Sequence, residues 1–525
     1  MLLFVGLLGG CGGSSASDPP AGPPVARAPS TGPGSAPSTD GSAEPRAPDQ
    51  VAGSPEVSES GTRRVEDVSG PVARVDGPSD PEAWAEAVLA DLTLREKVGQ
   101  MIMSWVLGDF APEGSESFDR VARLIDEEGV GGVIISVGTP LDVATKLNVL
   151  QRRSRVPLLV AADLETGAGF RLRGAVHLPG GTELGGATDF PALMALGAAN
   201  DRLLAYEMGR ITAEEARAVG IHVPFAPVLD VNSNPDNPII NTRSFGEDPA
   251  LVGALGSCLI RGIQDYGAIA TGKHFPGHGD TGIDSHLELP VLRLGLDRLE
   301  RIELKPFRDA VDSGMKAIMT AHIALPAISE DPRLPATLSR NILTGLLRDQ
   351  MGFEGLVFTD AMDMGAIDRL FGRDEAAVRA VEAGADVLLM PPDPAAAIDG
   401  VISAVLQGRI SEGRIDASVR RILRAKAEVG LHRERTVDLE AVHRTVGVDA
   451  HLEVAEEIAR RSLTLLRNER DLVPLAGTRS ADVLSITYRR SNDLLAGRTF
   501  DRRLRDIYPR LATVAIGSET MAEEY

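Results

Sequence analysis

Short runs of apolar, often β-branched residues alternate with amphipathic helical stretches along most of this chain. Near-continuous apolar strands joined by helical crossovers are typical of a parallel sheet buried on both faces. Seven or more such units in about 350 residues fit a TIM-type (β/α)8 barrel, an α/β fold. A doubly wound sheet is the competing architecture, but no Gly-x-Gly-x-x-Gly turn follows the first strand. Strands are predicted at 132–137, 157–163, 222–230, 268–274, 316–322, 356–360 and 385–390, and helices at 81–103, 201–219, 297–313 and 339–351.

Several of these predicted strands end in a titratable residue. One Asp after a strand is a common helix N-cap and carries little information. The carboxyl ends of all strands in a parallel barrel lie on one rim, where active sites form, so five strands ending this way predict a convergent site. The strand-end residues are Asp163, Asp230, Lys273 with His274, His322, and Asp360.

The densest polar segment, 273–286, reads KHFPGHGDTGIDSH. Asp284 and His286 lie two residues apart, so the carboxylate can orient and charge the imidazole, as in a general acid/base pair. The composition leaves two alternatives open: loop histidines without chemistry, or a zinc site. The candidate zinc ligands are His274, His278, Asp280 and His286.

KHFPGHGDT followed by DSH resembles the signature of family 3 glycoside hydrolases, in particular the β-N-acetylhexosaminidase subgroup. Three further blocks occur in the family's order: DLE at 163–165, NTRSFGED at 241–248 and FTDAM at 358–362. The resemblance argues against zinc and implies no cofactor.

The resemblance also assigns roles. It implies that Asp360 is the nucleophile, His286 the acid/base and Asp284 its dyad partner. A carboxylate and an acid flanking the glycosidic bond are what a retaining mechanism requires. Arg, Lys and Asp side chains form charge-assisted hydrogen bonds to sugar hydroxyls. The residues that match sugar-binding positions are Asp163, Arg171, Arg243, Lys273 and His274.

The chain departs from the family pattern after Asp163, where the usual E-G-G-R is Glu165-Thr166-Gly167-Ala168. Thr166 in place of Gly is expected to tighten the turn, and the missing Arg removes one charge near the sugar. Arg171 still lies eight residues after Asp163, so catalysis is expected to survive. Glu165 is expected to be structural.

Two other interpretations concern nearby residues. His278 and Asp280 are expected to hold the loop rather than touch sugar. For Arg243 the alternative to sugar binding is a structural ion pair with Glu247 or Asp248.

The first residues, MLLFVGLLGG before Cys11, resemble a bacterial lipoprotein signal, although no Lys or Arg precedes the apolar run. The expectation is cleavage before Cys11, which would be lipidated; an ordinary secretory signal is the alternative. Residues 12–80 are rich in Pro, Ser, Gly and Ala, which predicts a disordered tether. The protein is expected on the bacterial cell envelope, at its periplasmic or extracellular face.

The net charge and the number of cysteines exclude some classes of binding partner and of fold. With 54 Lys and Arg against 75 Asp and Glu, the net charge is -21, which argues against binding nucleic acid or anionic lipid headgroups. The two cysteines, Cys11 and Cys258, exclude a disulfide framework. Cys258 lies on an apolar helix and is expected to be inert core.

The predicted domains are the catalytic barrel at 81–437, a connector at 438–450, and at 451–525 the start of an α/β sandwich domain, apparently incomplete. Within that last part, 452–465 is predicted to be a helix and 483–487 a strand.

Together these features predict a membrane-tethered, retaining exo-β-N-acetylglucosaminidase acting on cell-wall or chitin-derived oligosaccharides. The alternatives are a β-glucosidase of the same family, a phosphorylase with the same His–Asp dyad, and a lipoprotein that binds glycan without turnover.

Overall fold

The computed structural model describes most of the chain beyond the predicted leader and tether. The predictions for 1–11 and for nearly all of 12–80 therefore lie outside the described residues. The described residues are 78–178, 182–285, 288–368, 371–469, 479–490, 493 and 496–517.

Parallel strands form the centre of the fold, as predicted. A five-stranded sheet has the order β8-β1-β2-β3-β4 and a three-stranded sheet the order β5-β6-β7. Single parallel bridges link Val228, beyond β4, to Lys273 of β5, and Phe358 of β7 to Val387, just before β8. The strands are β1 (Ile102–Val106), β2 (Gly132–Ile135), β3 (Leu159–Ala162), β4 (Val223–Pro224), β5 (Thr271–Phe275), β6 (Ala317–Thr320), β7 (Leu356–Phe358) and β8 (Leu388–Leu389).

Helices connect these strands and give the α/β alternation. Many begin at an Asp, Ser or Thr that accepts a backbone hydrogen bond, as N-caps do; Asp201, for example, accepts from Leu203 and Leu204. The α-helices before, between and after these strands are Pro81–Asp91, Leu94–Gln100, Glu116–Asp126, Pro140–Arg153, Leu193–Ala199, Arg202–Ala218, Pro249–Asp265, Leu296–Arg301, Lys305–Asp312, Gly365–Asp368, Arg373–Ala383, Pro394–Leu406, Glu412–Glu428 and Val442–Thr445. A π-helix spans Asn341–Gln350, and 3₁₀ turns span Ala168–Phe170, Asn241–Arg243 and Ala336–Leu338.

The prediction of one helix over 81–103 was wrong. The first helix ends at Asp91, and a capping box between Thr93 and Glu96 starts a second helix. Strand β1 then begins at Ile102. The apolar run 101–106 continues the helical spacing before it, so periodicity alone did not separate them. The predicted helix 297–313 likewise divides into two, and 339–351 is mainly π-helical.

The strand side chains form a dry core. Phe225, just after β4, and Phe358 of β7 meet edge to face with ring centroids 5.3 Å apart. Both rings are fully buried. Cys258 is buried in its helix, as expected.

After helix Val442–Thr445, Asp449–Arg461 is helical, close to the predicted 452–465. Its His451 Nδ1 lies 2.8 Å from the buried Glu215 carboxylate of helix Arg202–Ala218. The predicted strand 483–487 is confirmed as Val483–Tyr488; it pairs in parallel with Leu511–Ile516, and helix Arg498–Ile507 lies between them in the chain. Among the described helices, none has the length and apolarity needed to cross a bilayer.

Candidate active site

Lys273, in the middle of β5, lies at the centre of a cluster of charges that includes Asp163, the residue directly after β3. Its Nζ is 2.9 Å from Asp163 Oδ1 and 2.7 Å from Glu165 Oε1. Arg171 donates to the other Asp163 oxygen at 2.8 Å. Thus three of the predicted sugar-binding residues come together, and Glu165 joins them.

Arg243 also pairs with Glu165, through Nε at 2.9 Å and Nη2 at 2.8 Å. The alternative pairing of Arg243 with Glu247 or Asp248 was therefore wrong. A fork-shaped guanidinium on a carboxylate is a strong, directional contact, and Glu165 is mostly buried. Glu165 thus holds both Lys273 and Arg243 in place, a structural role as expected.

The charges within this cluster stabilise one another. Burial alone would raise the pKa of Asp163, but Lys273 holds it below its ordinary value. Burial likewise opposes ionisation of Glu165, yet Arg243 and Lys273 hold its pKa well below the usual range. The pKa of Lys273 is raised despite burial, because Asp163 and Glu165 favour its charged form. All of these groups are therefore ionised at neutral pH.

Asp230 is fully buried and orients both the end of β5 and the loop that follows it. Its carboxylate accepts hydrogen bonds from the backbone N–H of His274, at 3.1 Å, and of His278, at 2.6 Å. It also accepts from His274 Nδ1 at 2.7 Å, which leaves Nε2 of that ring 3.4 Å from Arg243. The sequence marked Asp230 as a strand-end residue but did not indicate that it fixes His274.

His278 holds the loop after β5 together, as expected. Its two ring nitrogens lie 2.9 Å from Thr281 Oγ1 and 3.0 Å from Ser285 Oγ. The Asn237 side-chain amide donates to the carbonyl oxygens of His278 and Gly279. Burial lowers the pKa of His278 to about 4, so the ring is neutral at ordinary pH.

Asp360 lies two residues after β7 and is partly exposed. Among the described residues, its carboxylate accepts a hydrogen bond from the Ala361 N–H at 2.8 Å. His322, another strand-end residue, donates from Nε2 to the Ala361 carbonyl at 2.9 Å, and its Nδ1 lies 2.8 Å from Thr337. His322 therefore fixes the backbone beside Asp360, a role that its position alone did not reveal.

Asp284 is partly exposed near the end of the loop after β5. Its predicted dyad partner, His286, lies outside the described residues. No three His, Cys, Asp or Glu side chains in the described part of the chain are placed to hold a metal ion. Two of the candidate zinc ligands, His274 and His278, are instead engaged by Asp230, Thr281 and Ser285.

The model for the glycosyl hydrolase family 3 N terminal domain matches residues 93–425, which carry the whole of this charged cluster. The chain belongs to glycosyl hydrolase family 3. Accordingly it is a glycoside hydrolase, and the resemblance seen in the sequence is confirmed.

Named relatives of this family 3 chain include a β-N-acetylglucosaminidase/β-glucosidase of Cellulomonas fimi, 33% identical over 414 residues, covering 77% of this chain and 70% of that protein. β-Hexosaminidase A of Pseudoalteromonas piscicida is 30% identical over 427 residues, covering 74% and 69%. A solved family 3 β-N-acetylglucosaminidase from Paenibacillus sp. str. FPU-7 superposes with a TM-score of 0.70 at 40% identity, covering 82% of this chain and 81% of that one.

Proposed function

We propose that this family 3 hydrolase is a retaining exo-β-N-acetylglucosaminidase that cleaves terminal β-linked N-acetylhexosamine from cell-wall or chitin-derived oligosaccharides. The observation that carries the proposal is the ion-paired cluster of Asp163, Arg171 and Lys273. Lys273 lies on β5, and Asp360 follows β7 of the same parallel sheet. All three similar proteins described above carry a β-N-acetylglucosaminidase or β-hexosaminidase name.

In the proposed first step, the Asp360 carboxylate attacks the anomeric carbon while His286 protonates the leaving oxygen. A covalent glycosyl–enzyme results. In the second step the neutral His286 takes a proton from water, which displaces Asp360 with a second inversion, so the β-anomer is released. Asp284 orients His286 and favours its protonated form.

We propose that Asp163, Arg171, Arg243, Lys273 and His274 bind the sugar. Asp163 accepts hydrogen bonds from hydroxyl groups, and Arg171 and Lys273 donate them. Because these charges already compensate one another, they need no rearrangement before the sugar binds, and preorganised charge raises affinity.

The test is hydrolysis of 4-nitrophenyl β-N-acetylglucosaminide compared with 4-nitrophenyl β-glucoside. We expect kcat/KM to be higher for the N-acetylglucosaminide. The glucoside is the comparison because the Cellulomonas fimi relative is named both as a β-N-acetylglucosaminidase and as a β-glucosidase. A higher kcat/KM for the glucoside would show that this protein is a β-glucosidase instead.

A phosphorylase is the second candidate, because a solved β-glucoside phosphorylase superposes with a TM-score of 0.73 at 25% identity. After donating its proton, His286 is neutral and does not repel an incoming anion, as a carboxylate would. Turnover with and without millimolar phosphate, with detection of sugar-1-phosphate, separates the two. We expect water to be the main acceptor; sugar-1-phosphate as the main product would make this a phosphorylase.

We also infer that the two sheets close into an eight-stranded (β/α)8 barrel. Support comes from the single bridges Val228–Lys273 and Phe358–Val387, which link the sheets at both pairs of edges. The parallel pair of strands after residue 480 is consistent with the start of an α/β sandwich domain.

We further propose that the protein is lipid-anchored to the cell envelope through Cys11, on the basis of the sequence 1–11. Protein made with its leader should partition into detergent, and Cys11→Ser should move it to the soluble fraction. A soluble native protein with an unmodified mature N-terminus would refute the anchor.

A further inference from the structure

Glu303 is a buried carboxylate beneath the loop that follows β5. It lies between helices Leu296–Arg301 and Lys305–Asp312, and its side chain is 1% exposed. Buried carboxylates are rare unless they are paired or have a function. Burial raises the pKa of Glu303 above its ordinary value, although Arg298 opposes the shift.

The side chain of Glu303 packs directly against the loop backbone. A Cβ added at Gly277 would lie 2.8 Å from Glu303 Cβ, and Gly277 has a φ of 126°, in a region that favours glycine. The loop can therefore approach Glu303 this closely only with glycine at this position.

Arg298 links Glu303 to the same loop from the other side. Its Nη2 is 3.1 Å from Glu303 Oε1 and 3.7 Å from Asp280 Oδ2. Ser233, in the loop after β4, lies 3.4 Å from the other Asp280 oxygen. A chain of contacts thus runs from Glu303 through Arg298 to Asp280, four residues before Asp284.

Two buried polar atoms in this chain of contacts lack a hydrogen bond to the described residues. Within the described residues, Glu303 Oε2 and Arg298 Nε are buried without a hydrogen-bond partner. Leaving a buried polar atom unpaired costs free energy, and each such atom calls for a physical explanation. If these two side chains served only to stabilise the fold, full hydrogen bonding would lower their free energy further. Instead both contact the loop after β5, Glu303 at Gly277 and Arg298 at Asp280.

We propose that Glu303 is a positioning residue for the acid/base loop, acting through Arg298 and Asp280 to hold residues 277–285 in register with the bound glycoside. This inference rests on the proposed function, because it assigns the purpose of the loop to the Asp284–His286 pair. Glu303 itself touches neither sugar nor the reacting atoms.

The proposal predicts which step of the reaction depends on Glu303. A loop held out of register donates its proton less effectively. No hydrogen bond or ion pair among the described residues joins Glu303 to the cluster around Lys273. Substrates with poor leaving groups need that proton, and activated aryl leaving groups need it little. Loss of Glu303 should therefore lower kcat for poor leaving groups and spare KM.

The experiment compares Glu303→Gln, Glu303→Asp and Glu300→Gln on a chitobioside and on 2,4-dinitrophenyl β-N-acetylglucosaminide. Glu300→Gln is the matched control, because Glu300 pairs with Arg308 at 2.7 Å on the neighbouring helices, away from the loop. For Glu303→Gln we expect kcat on chitobioside to fall on the order of 10–100-fold, part of the roughly 10²–10⁴-fold typical of general acid catalysis. KM and turnover of the activated substrate should change little, and Glu303→Asp should recover part of the loss.

The outcomes are distinguishable. Equal losses on both substrates, or a fall like that of Glu300→Gln, would overturn the positioning role. His286→Ala is assayed in parallel: if it shows no dependence on the leaving group, the proposed acid/base function itself fails. If Glu303→Gln does not fold, Arg298→Met tests the same chain of contacts, and it must show the same dependence on the leaving group.

Discussion

The two sides of the active site are built differently. On the side of β3 and β5, Lys273 contacts two carboxylates, and Glu165 in turn binds Arg243. On the side of β7, Asp360 accepts a local hydrogen bond from Ala361, within the described residues, and is not ion-paired there. The proposed sugar-binding groups are thus compensated in advance, whereas the proposed nucleophile has few contacts that would stabilise its charge in the resting state.

This difference fits the roles that we propose for the two sides. A recognition group gains from a fixed, ionised state, and neighbouring opposite charges provide it. A nucleophile needs its charge available to the transition state, so a strong ion pair in the free enzyme would raise the barrier. The same difference predicts how each side responds to substitution.

Removal of Asp360, the proposed nucleophile, should have the largest effect. Asp360→Ala should lower kcat on the order of 10³-fold or more, because covalent catalysis is lost. The fold should be unaffected, since Asp360 forms no ion pair with another described residue, and a thermal melt checks this. Asp349→Ala, on the exposed face of the π-helix, is the control and should keep full activity. Near-normal turnover by Asp360→Ala would show that Asp360 is not the nucleophile and would contradict the proposed difference between the two sides.

Glu165→Gln should disturb the recognition side. It removes the negative charge that pairs with Lys273 and Arg243. Breaking a buried ion pair costs about 3–5 kcal/mol of folding stability. We expect kcat/KM to fall at least about 10²-fold, mainly through KM, together with a lower melting temperature. Asp126→Asn, which breaks an ion pair with Arg153 at the surface, should cost less than about 1 kcal/mol. Equal effects of the two variants would show that the cluster is not preorganised.

The loop after β5 should carry a pH dependence of stability. The pKa of His278 is about 4 in the folded state and about 6.5 when unfolded. Because the folded state favours the neutral ring, this stability is fully present above pH 6.5 and is lost as the pH falls towards 4. The loss should reach about 2–3 kcal/mol, measured by denaturant unfolding across that range. His278→Gln should flatten the slope, and exposed His443→Gln should not; an unchanged slope in His278→Gln would contradict the assignment.

The smallest effect should come from Thr166, where this chain departs from its family. Thr166 Oγ1 donates to Asp189 Oδ1 at 2.7 Å, but the contact is exposed. Thr166→Gly should change KM by less than about tenfold, since such a hydrogen bond contributes about 0.5–1.5 kcal/mol. Ser at this position is the control that keeps the hydroxyl. A change of substrate preference in Thr166→Gly would place specificity in this turn rather than in the cluster around Lys273.

Much of the site was predictable because parallel strands bring their carboxyl ends together. That rule alone placed Asp163 near Lys273, although they are 110 residues apart. It could not identify partners that reach across loops. Arg243 is 78 residues from Glu165, and the nearer acidic residues Glu247 and Asp248 were the plausible but wrong choices. Local spacing carries no information on such contacts. For the same reason the sequence did not predict the hydrogen bond from the His278 N–H to the Asp230 carboxylate.

Strand β1 was missed for a different physical reason. Only Met101 separates the preceding helix from β1, and the apolar spacing of these residues suits either structure. The parallel pairing with β2 and β8, which no local pattern reveals, decides in favour of a strand.

The central claim is that Asp360 forms the covalent glycosyl–enzyme. Incubation with a 5-fluoro N-acetylglucosaminyl fluoride, followed by proteolysis and mass spectrometry, should trap the intermediate. We predict that the peptide containing Asp360 carries the sugar and that the first product seen by NMR is the β-anomer. A label on Glu165 or Asp230, or an initial α-anomer, would contradict the account.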